Sequence, residues 1–307
     1  IVLMYLLAAN TLFSVYIFLA PDSQLVRFFS GVREITGGNK NIQGLNITSV
    51  NIVAGRISGV FGLIVEGGFA YALGLFLWVY NYKGRGNVGV SPFALLMAIL
   101  IGGFFTFSKV FLVIGLPIFL FCVGARKLMG IASILLIFAV LAILINPSLI
   151  DTINELRGLN YFLRLIDVDI FNFLSVYTSG RFSSDSAILT GMVKILNMRP
   201  FFGLGYGSIE TSDFSLYEVV SLGGLIGLST YLSLHGLMAV LIFKFTKGPR
   251  RTLYISFVIL TFLSALSAPI LTANRLSVFI CLILAWALCH KGCKTYNLSR
   301  NASKSVL

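Results

Sequence analysis

Apolar runs close to 20 residues long recur along this chain, separated by short polar connectors and one long polar block. That length matches the number of helical residues needed to cross a hydrocarbon core of about 30 Å. The pattern predicts spans at about 1–20, 58–80, 92–107, 110–124, 128–145, 219–243, 253–270 and 276–289. The third and fourth runs are short. Joined as one helix they would measure about 50 Å, too long for the bilayer, so a hairpin turning at Ser108-Lys109 is expected. The predicted fold is all-α: a polytopic integral membrane helical bundle forming a single membrane domain over 1–307. Its one large loop is the block 146–218. Within that block, residues 186–198 set apolar positions around Lys194 in the manner of a short interfacial helix. The chain opens at Ile1 inside an apolar run, so a truncated N-terminus with earlier spans is expected.

Composition sharpens the class. The 307 residues are 57% hydrophobic, the mean hydropathy is +0.94, and 11% are charged, where a soluble domain carries about a quarter. The net charge of +12 is a topology signal. Four short connectors hold Lys83/Arg85, Arg126/Lys127, Lys244/Lys247/Arg250/Arg251 and Lys291/Lys294/Arg300/Lys304, which is 12 basic residues and no acidic one. If the eight spans alternate, all four share one side, and the positive-inside rule makes it cytoplasmic. All 11 acidic residues then fall on or toward the other side, with 11 basic partners, so that side is formally neutral. Nucleic-acid binding is not needed to explain the charge. Cys122, Cys281, Cys289 and Cys293 fall in spans or at the cytoplasmic end, which implies no disulfide framework. The Cys289-His290-x-x-Cys293 spacing lacks a fourth ligand, and no metal site is expected.

The chemistry gathers on the outer face. Arg56, Lys109, Arg181 and Arg275 all fall there or at the outer ends of spans. A cation near hydrocarbon costs up to about 2.5–3.5 kcal/mol, and a charge-assisted hydrogen bond to phosphate returns about 1.5–3 kcal/mol. Several cations converging on one diphosphate would offset their own desolvation. The structural alternative is that each snorkels separately to lipid headgroups. Glu66 falls inside the second predicted span, where a carboxylate is a functional hypothesis by default. A continuous helix would set Arg56 and Glu66 about 15 Å apart along its axis and about 80° apart around it. Gly203, Gly205 and Gly207 have no preceding strand or βαβ context, so they do not read as a nucleotide fingerprint. They read instead as a bent loop whose backbone N–H groups can face an anion. Asp213 and Glu218, near the mouth of the sixth span, are candidate general bases for a sugar hydroxyl.

In their order, these pieces resemble the O-antigen polymerase and ligase superfamily of bacterial membrane glycosyltransferases. The matching residues are Arg56 with Gly59-x-Phe61, Glu66 with Phe69-Ala70-Tyr71, Ser108-Lys109, and Thr178-Ser179-Gly180-Arg181. Pro200-x-x-Gly203-x-Gly205-x-Gly207 and Leu222-Gly223-Gly224-Leu225 follow, so the resemblance runs from about residue 50 to 240. It implies a periplasmic active face on the bacterial inner membrane and undecaprenyl-diphosphate-linked oligosaccharides as substrates. It also implies arginines that hold the diphosphate and a carboxylate that assists the attacking hydroxyl. No metal-ligand cluster is visible in the sequence, so metal-independent transfer without a cofactor is expected. Membrane lipid and a chain-length regulator protein are the implied partners. The ligase branch shows a histidine in the large loop; here His235 falls in a span and His290 at the cytoplasmic end, which favours polymerase over ligase. A flippase without covalent chemistry is the alternative of a different class. It would require a polar path across the membrane, and no internal repeat of the transporter kind is visible. Reporter fusions after Arg85, Lys127 and Lys247 are expected to read as cytoplasmic, and a fusion after Gly180 as external. The opposite pattern would remove the basis of the site assignment.

Overall fold

A computed structural model of the protein describes residues 1–28, 57–61, 64–82, 90–123, 186–205, 215–246 and 249–265, with the single positions 280 and 285. The predicted spans at 128–145 and 276–289 lie outside the described residues, apart from those two positions. Every regular element among the described residues is helical. Among the described residues, three helices are long and apolar enough to cross a membrane: Val2–Leu19, Ile64–Tyr82 and Ser215–Phe245. The chain divides into two compact units, Ile1–Tyr177 and Thr178–Leu307, with the division inside the long polar block.

The first unit is built around α2 (Ile64–Tyr82), against which α1 (Val2–Leu19), α3 (Val90–Phe105), a π-helical segment (Val110–Gly115) and α4 (Leu116–Val123) all pack. Tyr71 and Phe69 of α2 are fully buried. Side-chain contacts fix the helix directions. Thr11 of α1 meets Ala98 of α3, and Phe18 meets Phe105, so these two helices run the same way. Trp78, near the end of α2, donates its indole N–H to the Pro92 carbonyl at the start of α3, 2.7 Å away. Its ring also lies edge-on to Phe119 of α4, with centroids 6.3 Å apart. One residue touching the start of α3 and the middle of α4 requires α3 and α4 to be antiparallel, which is the expected hairpin.

The turn between them covers 106–108. Phe107 there adopts φ 42°, and Lys109 leads into the π-helical return. Phe104 stacks edge-on to Phe111 across the turn, with centroids 5.8 Å apart.

The second unit contains α5 (Ala187–Met198), α6 (Ser215–Phe245) and α7 (Pro249–Ala265). α5 forms where the sequence predicts an interfacial helix. The Ser186 side chain caps it by accepting from the Leu189 N–H. Its Gly191 lies close to the Tyr217 ring of α6.

α6 departs from expectation. The sequence predicts one straight span from 219, but Gly224 has φ 58° and ψ −144°, which no right-handed helix accommodates. The chain bends sharply back there: a side chain on Gly227 would come within 2.8 Å of the Val219 carbonyl. In a continuous helix those residues would be about 12 Å apart along the axis. The part after the break, residues 225–245, is about 32 Å long and by itself matches a hydrocarbon core.

Breaking a helix strips hydrogen bonds from both new ends, and the turn at 200–204 replaces them. The Leu225 N–H donates to the Pro200 carbonyl at 2.7 Å, and the Ile226 N–H to the Phe201 carbonyl at 3.2 Å. In return the Leu204 N–H donates to the Ser221 carbonyl at 2.7 Å. Such close backbone approach requires glycine on both sides. Gly203 has φ 61°, and a Cβ on it would lie 2.5 Å from the Ser221 oxygen. A Cβ on Gly224 would lie 2.6 Å from the Pro200 oxygen. Gly203→Ala or Gly224→Ala is therefore expected to destabilise the protein by about 2 kcal/mol or more, from left-handed strain plus collision with backbone. Denaturant titration of each purified variant beside Gly205→Ala checks this. At Gly205 φ is also positive, but no atom lies within 4 Å of a Cβ, so its loss is expected to be smaller.

Candidate functional site

Between α1 and α2 the chain does not stay outside the helices. Residues 57–61 are non-helical, and Ile57 and Ser58 are buried. Ile57 packs with Ile17 and Val26, and its N–H donates to the Phe105 carbonyl at the end of α3 at 2.9 Å. A few residues later the same segment has reached Asn10, midway along α1. The Asn10 amide donates to the Ser58 carbonyl at 3.3 Å and to the Tyr71 hydroxyl at 2.9 Å, and its carbonyl oxygen accepts from the Val60 N–H at 2.6 Å. Thr11 adds bonds to the Leu7 and Ala98 carbonyls and shares a hydrogen bond with Tyr71. The segment thus dips between the helices, and Asn10 supplies the partners that a strand or helix would otherwise give it. Non-helical backbone at membrane depth is tolerated where protein covers and satisfies it, and in transporters such backbone lines binding sites.

This dip changes the position of Glu66. The sequence predicts it inside a span beginning at 58. The helix begins instead at Ile64, because residues 57–61 are held by Asn10 and Phe105, and Glu66 falls in the first turn. A carboxylate there is favoured by the helix dipole and is half-buried. The helical separation expected between Arg56 and Glu66 does not apply, since the residues after Arg56 are not helical; Arg56 itself lies outside the described residues.

Directly after Glu66, Gly67 and Gly68 let the 106–108 turn dock on α2. Gly67 touches the side chains of Ser58 and Thr106, and Gly68 is in contact with Ser108, leaving no room for a Cβ. Thr106 is fully buried; its hydroxyl donates to the Gly103 carbonyl at 2.6 Å and accepts from the Ser108 N–H at 3.2 Å. Ser108 is buried and its hydroxyl has no hydrogen-bond partner. Lys109 follows at once, half-buried. The start of α2, which carries Glu66, therefore packs through Gly67 and Gly68 against the turn that precedes Lys109 and against Ser58 of the segment that leaves Arg56.

In the second unit the predicted residues Gly203 and Glu218 also come together. Gly203 seats against the short helix before the break, and Glu218 stands on that same helix one turn ahead of Ser221. One Glu218 carboxylate oxygen is buried without a hydrogen-bond partner, as is the Ser221 hydroxyl. The anion-facing role expected of Gly203 differs from what its backbone does. Its N–H donates to the Arg199 carbonyl at 3.1 Å and the next N–H to Ser221, so both amides are engaged. A Cβ on Gly205 would meet no atom within 4 Å. Arg181, Gly207, Asp213 and Arg275 lie outside the described residues. His235 is buried; its Nδ1 is 3.0 Å from the Tyr231 carbonyl and its ring stacks against Tyr231 and against Phe262 of α7. Its neighbours make it a contact between α6 and α7.

No family model, no curated protein and no solved structure matches this chain.

Sequence reasoning missed Asn10 and Thr11, and quoted Tyr71 only as part of a motif. The signal was present: Asn10, Thr11 and Ser14 fall at i, i+1 and i+4 on one face of an otherwise apolar run. Asn10→Leu keeps the side-chain size but strips the Ser58 carbonyl and Val60 N–H of a partner. Each unsatisfied group costs about 1–3 kcal/mol, so a fall of that order in stability is expected, larger than for Ser229→Ala on an exposed stretch of α6. Parallel denaturant titrations measure the difference.

Proposed function

We propose that the chain is a membrane glycosyltransferase that polymerises undecaprenyl-diphosphate-linked oligosaccharide repeat units into O-antigen or a related surface polysaccharide. The reaction takes place on the periplasmic face of the bacterial inner membrane, within a polytopic bundle whose large loop is 146–218. The observation that carries this reading is the convergence at one end of the first unit. Glu66, the Ser108-Lys109 turn and the segment following Arg56 are separate pieces of the family pattern, and the stretches that carry them pack together there through Gly67, Gly68, Ser58, Thr106 and Ser108.

In this reading an acceptor sugar hydroxyl attacks the anomeric carbon of the donor glycan. The bond from that carbon to the diphosphate oxygen breaks, the hydroxyl proton passes to a carboxylate, and the lipid diphosphate leaves. Glu66, Asp213 and Glu218 are the candidate bases. Arg56, Arg181, Lys109 and Arg275 hold the departing diphosphate, whose negative charge grows as the bond breaks. Glu66 suits the base role as a half-buried carboxylate in the first turn of α2. The engaged amides of Gly203 and Leu204 argue that the glycine-rich turn contributes by shape.

Arg56→Ala and Arg181→Ala are expected to abolish long-chain polysaccharide while the protein still inserts, and Glu66→Gln to reduce it. Gel analysis of lipopolysaccharide from complemented deletion cells reads the result. Core carrying a single repeat marks lost polymerisation. Bare core with accumulated lipid-linked polymer would assign ligation instead, and a normal ladder in both arginine variants would remove the diphosphate clamp.

A further inference from the structure

We propose that the 200–204 turn is a membrane-inserted wedge, with Phe201 and Phe202 buried in the bilayer at the hydrocarbon boundary. The inference rests on residues 225–245 crossing a membrane and is independent of the transferase reading.

The two rings are 60% and 74% exposed, although the backbone between them is tightly held. A turn locked by three interstrand-like hydrogen bonds but ending in two bare phenyl rings is not arranged for water. The same bonds fix what lies beside it. The Pro200 and Phe201 carbonyls receive the Leu225 and Ile226 amides, so the turn sits against the first residues of the span. Leu225 and Ile226 are themselves exposed, and the exposed apolar surface continues along the helix through Leu232, Leu237, Val240 and Phe243. Residues 225–245 are about as long as the hydrocarbon core is thick, so their first residues lie at its edge. Phe201 and Phe202 must share that depth.

The surrounding charge fits the same occupant. Lys194 and Arg199 are exposed on α5 and at its end, and residues 186–205 contain no Asp or Glu. Exposed cations beside apolar rings, with no acidic residue, complement anionic lipid headgroups above an acyl layer. Bilayer lipid therefore covers this patch as it covers the span. The wedge then sets the depth of the break at Gly224 and of the short helix carrying Glu218.

The test uses the full chain with its four cysteines changed to alanine, reconstituted in vesicles of phosphatidylcholine and phosphatidylglycerol. A nitroxide is attached in turn at Phe202→Cys, Phe201→Cys, Ile226→Cys and Lys194→Cys, and its collisions with oxygen and with a water-soluble nickel chelate are measured. Labels at 202 and 226 are expected to favour oxygen several-fold and to report depths within about one helical turn of each other, about 5 Å. The label at 194 is expected to favour nickel. The label at 201 replaces 202 should that variant fail to insert. A label at 202 as open to nickel as that at 194 would overturn the wedge. So would a label shielded from both agents, since protein, such as a second copy of the chain, would then cover the patch.

Discussion

An unpaired peptide group in hydrocarbon costs several kcal/mol, and two departures from helix among the described residues are arranged around that cost. At 57–61 the chain runs non-helically among the helices, and Asn10 with the Phe105 carbonyl takes up its polar groups. At Gly224 a helix breaks, and the 200–204 turn bonds both freed ends. In the first case a side chain satisfies backbone; in the second, backbone satisfies backbone. The second is the more demanding arrangement, because main chains must approach closely, and only a glycine on each side allows it.

Both departures fall within the stretches on which the proposed glycosyltransferase reading rests. Helices alone give a membrane protein a smooth apolar exterior and few polar groups to offer a substrate. A dip or a break supplies what a helix withholds: polar side chains at depth and small residues where another segment can pass. At the first departure, Glu66 falls in the first turn of α2 rather than inside a span, directly before the glycines that pack on buried Ser58, Thr106 and Ser108. At the second, Glu218 is carried on a short helix whose end is bonded by the turn. The proposed chemistry thus rests on carboxylates held by structural elements that cannot drift without exposing peptide groups. Rigidity of this kind serves a transfer reaction, which needs its reacting groups held in line.

Packing in the first unit follows from the same surroundings. Within a bilayer the hydrophobic effect does little to press one apolar helix against another, so close contact and interhelical hydrogen bonds carry the association. α2 shows both. Gly68 admits Ser108, and the Tyr71 hydroxyl ties α2 to Asn10 and Thr11 of α1. Thr11 in turn bonds the Ala98 carbonyl of α3, so three helices share one polar knot. Trp78 does the corresponding work at the other end, joining α2 to α3 and α4.

The sequence by itself determined the class, the helical content and the approximate positions of α1, the α3–α4 hairpin, α5 and α7. These follow from apolar run length and helical periodicity, both local properties of the chain. Pro200-x-x-Gly203 and Gly223-Gly224 were visible as two separate glycine-rich motifs, though nothing local says that they touch. Only the tertiary structure decided that Gly203 and Gly224 meet, that the span predicted from 219 is broken, and that residues 57–61 leave the helix predicted to contain them. Hydropathy could not reveal these outcomes, because each residue involved is as apolar or as small as its neighbours. What breaks the helix is a backbone partner arriving from elsewhere in the chain, and hydrogen bonds between distant peptide groups leave no trace in residue composition.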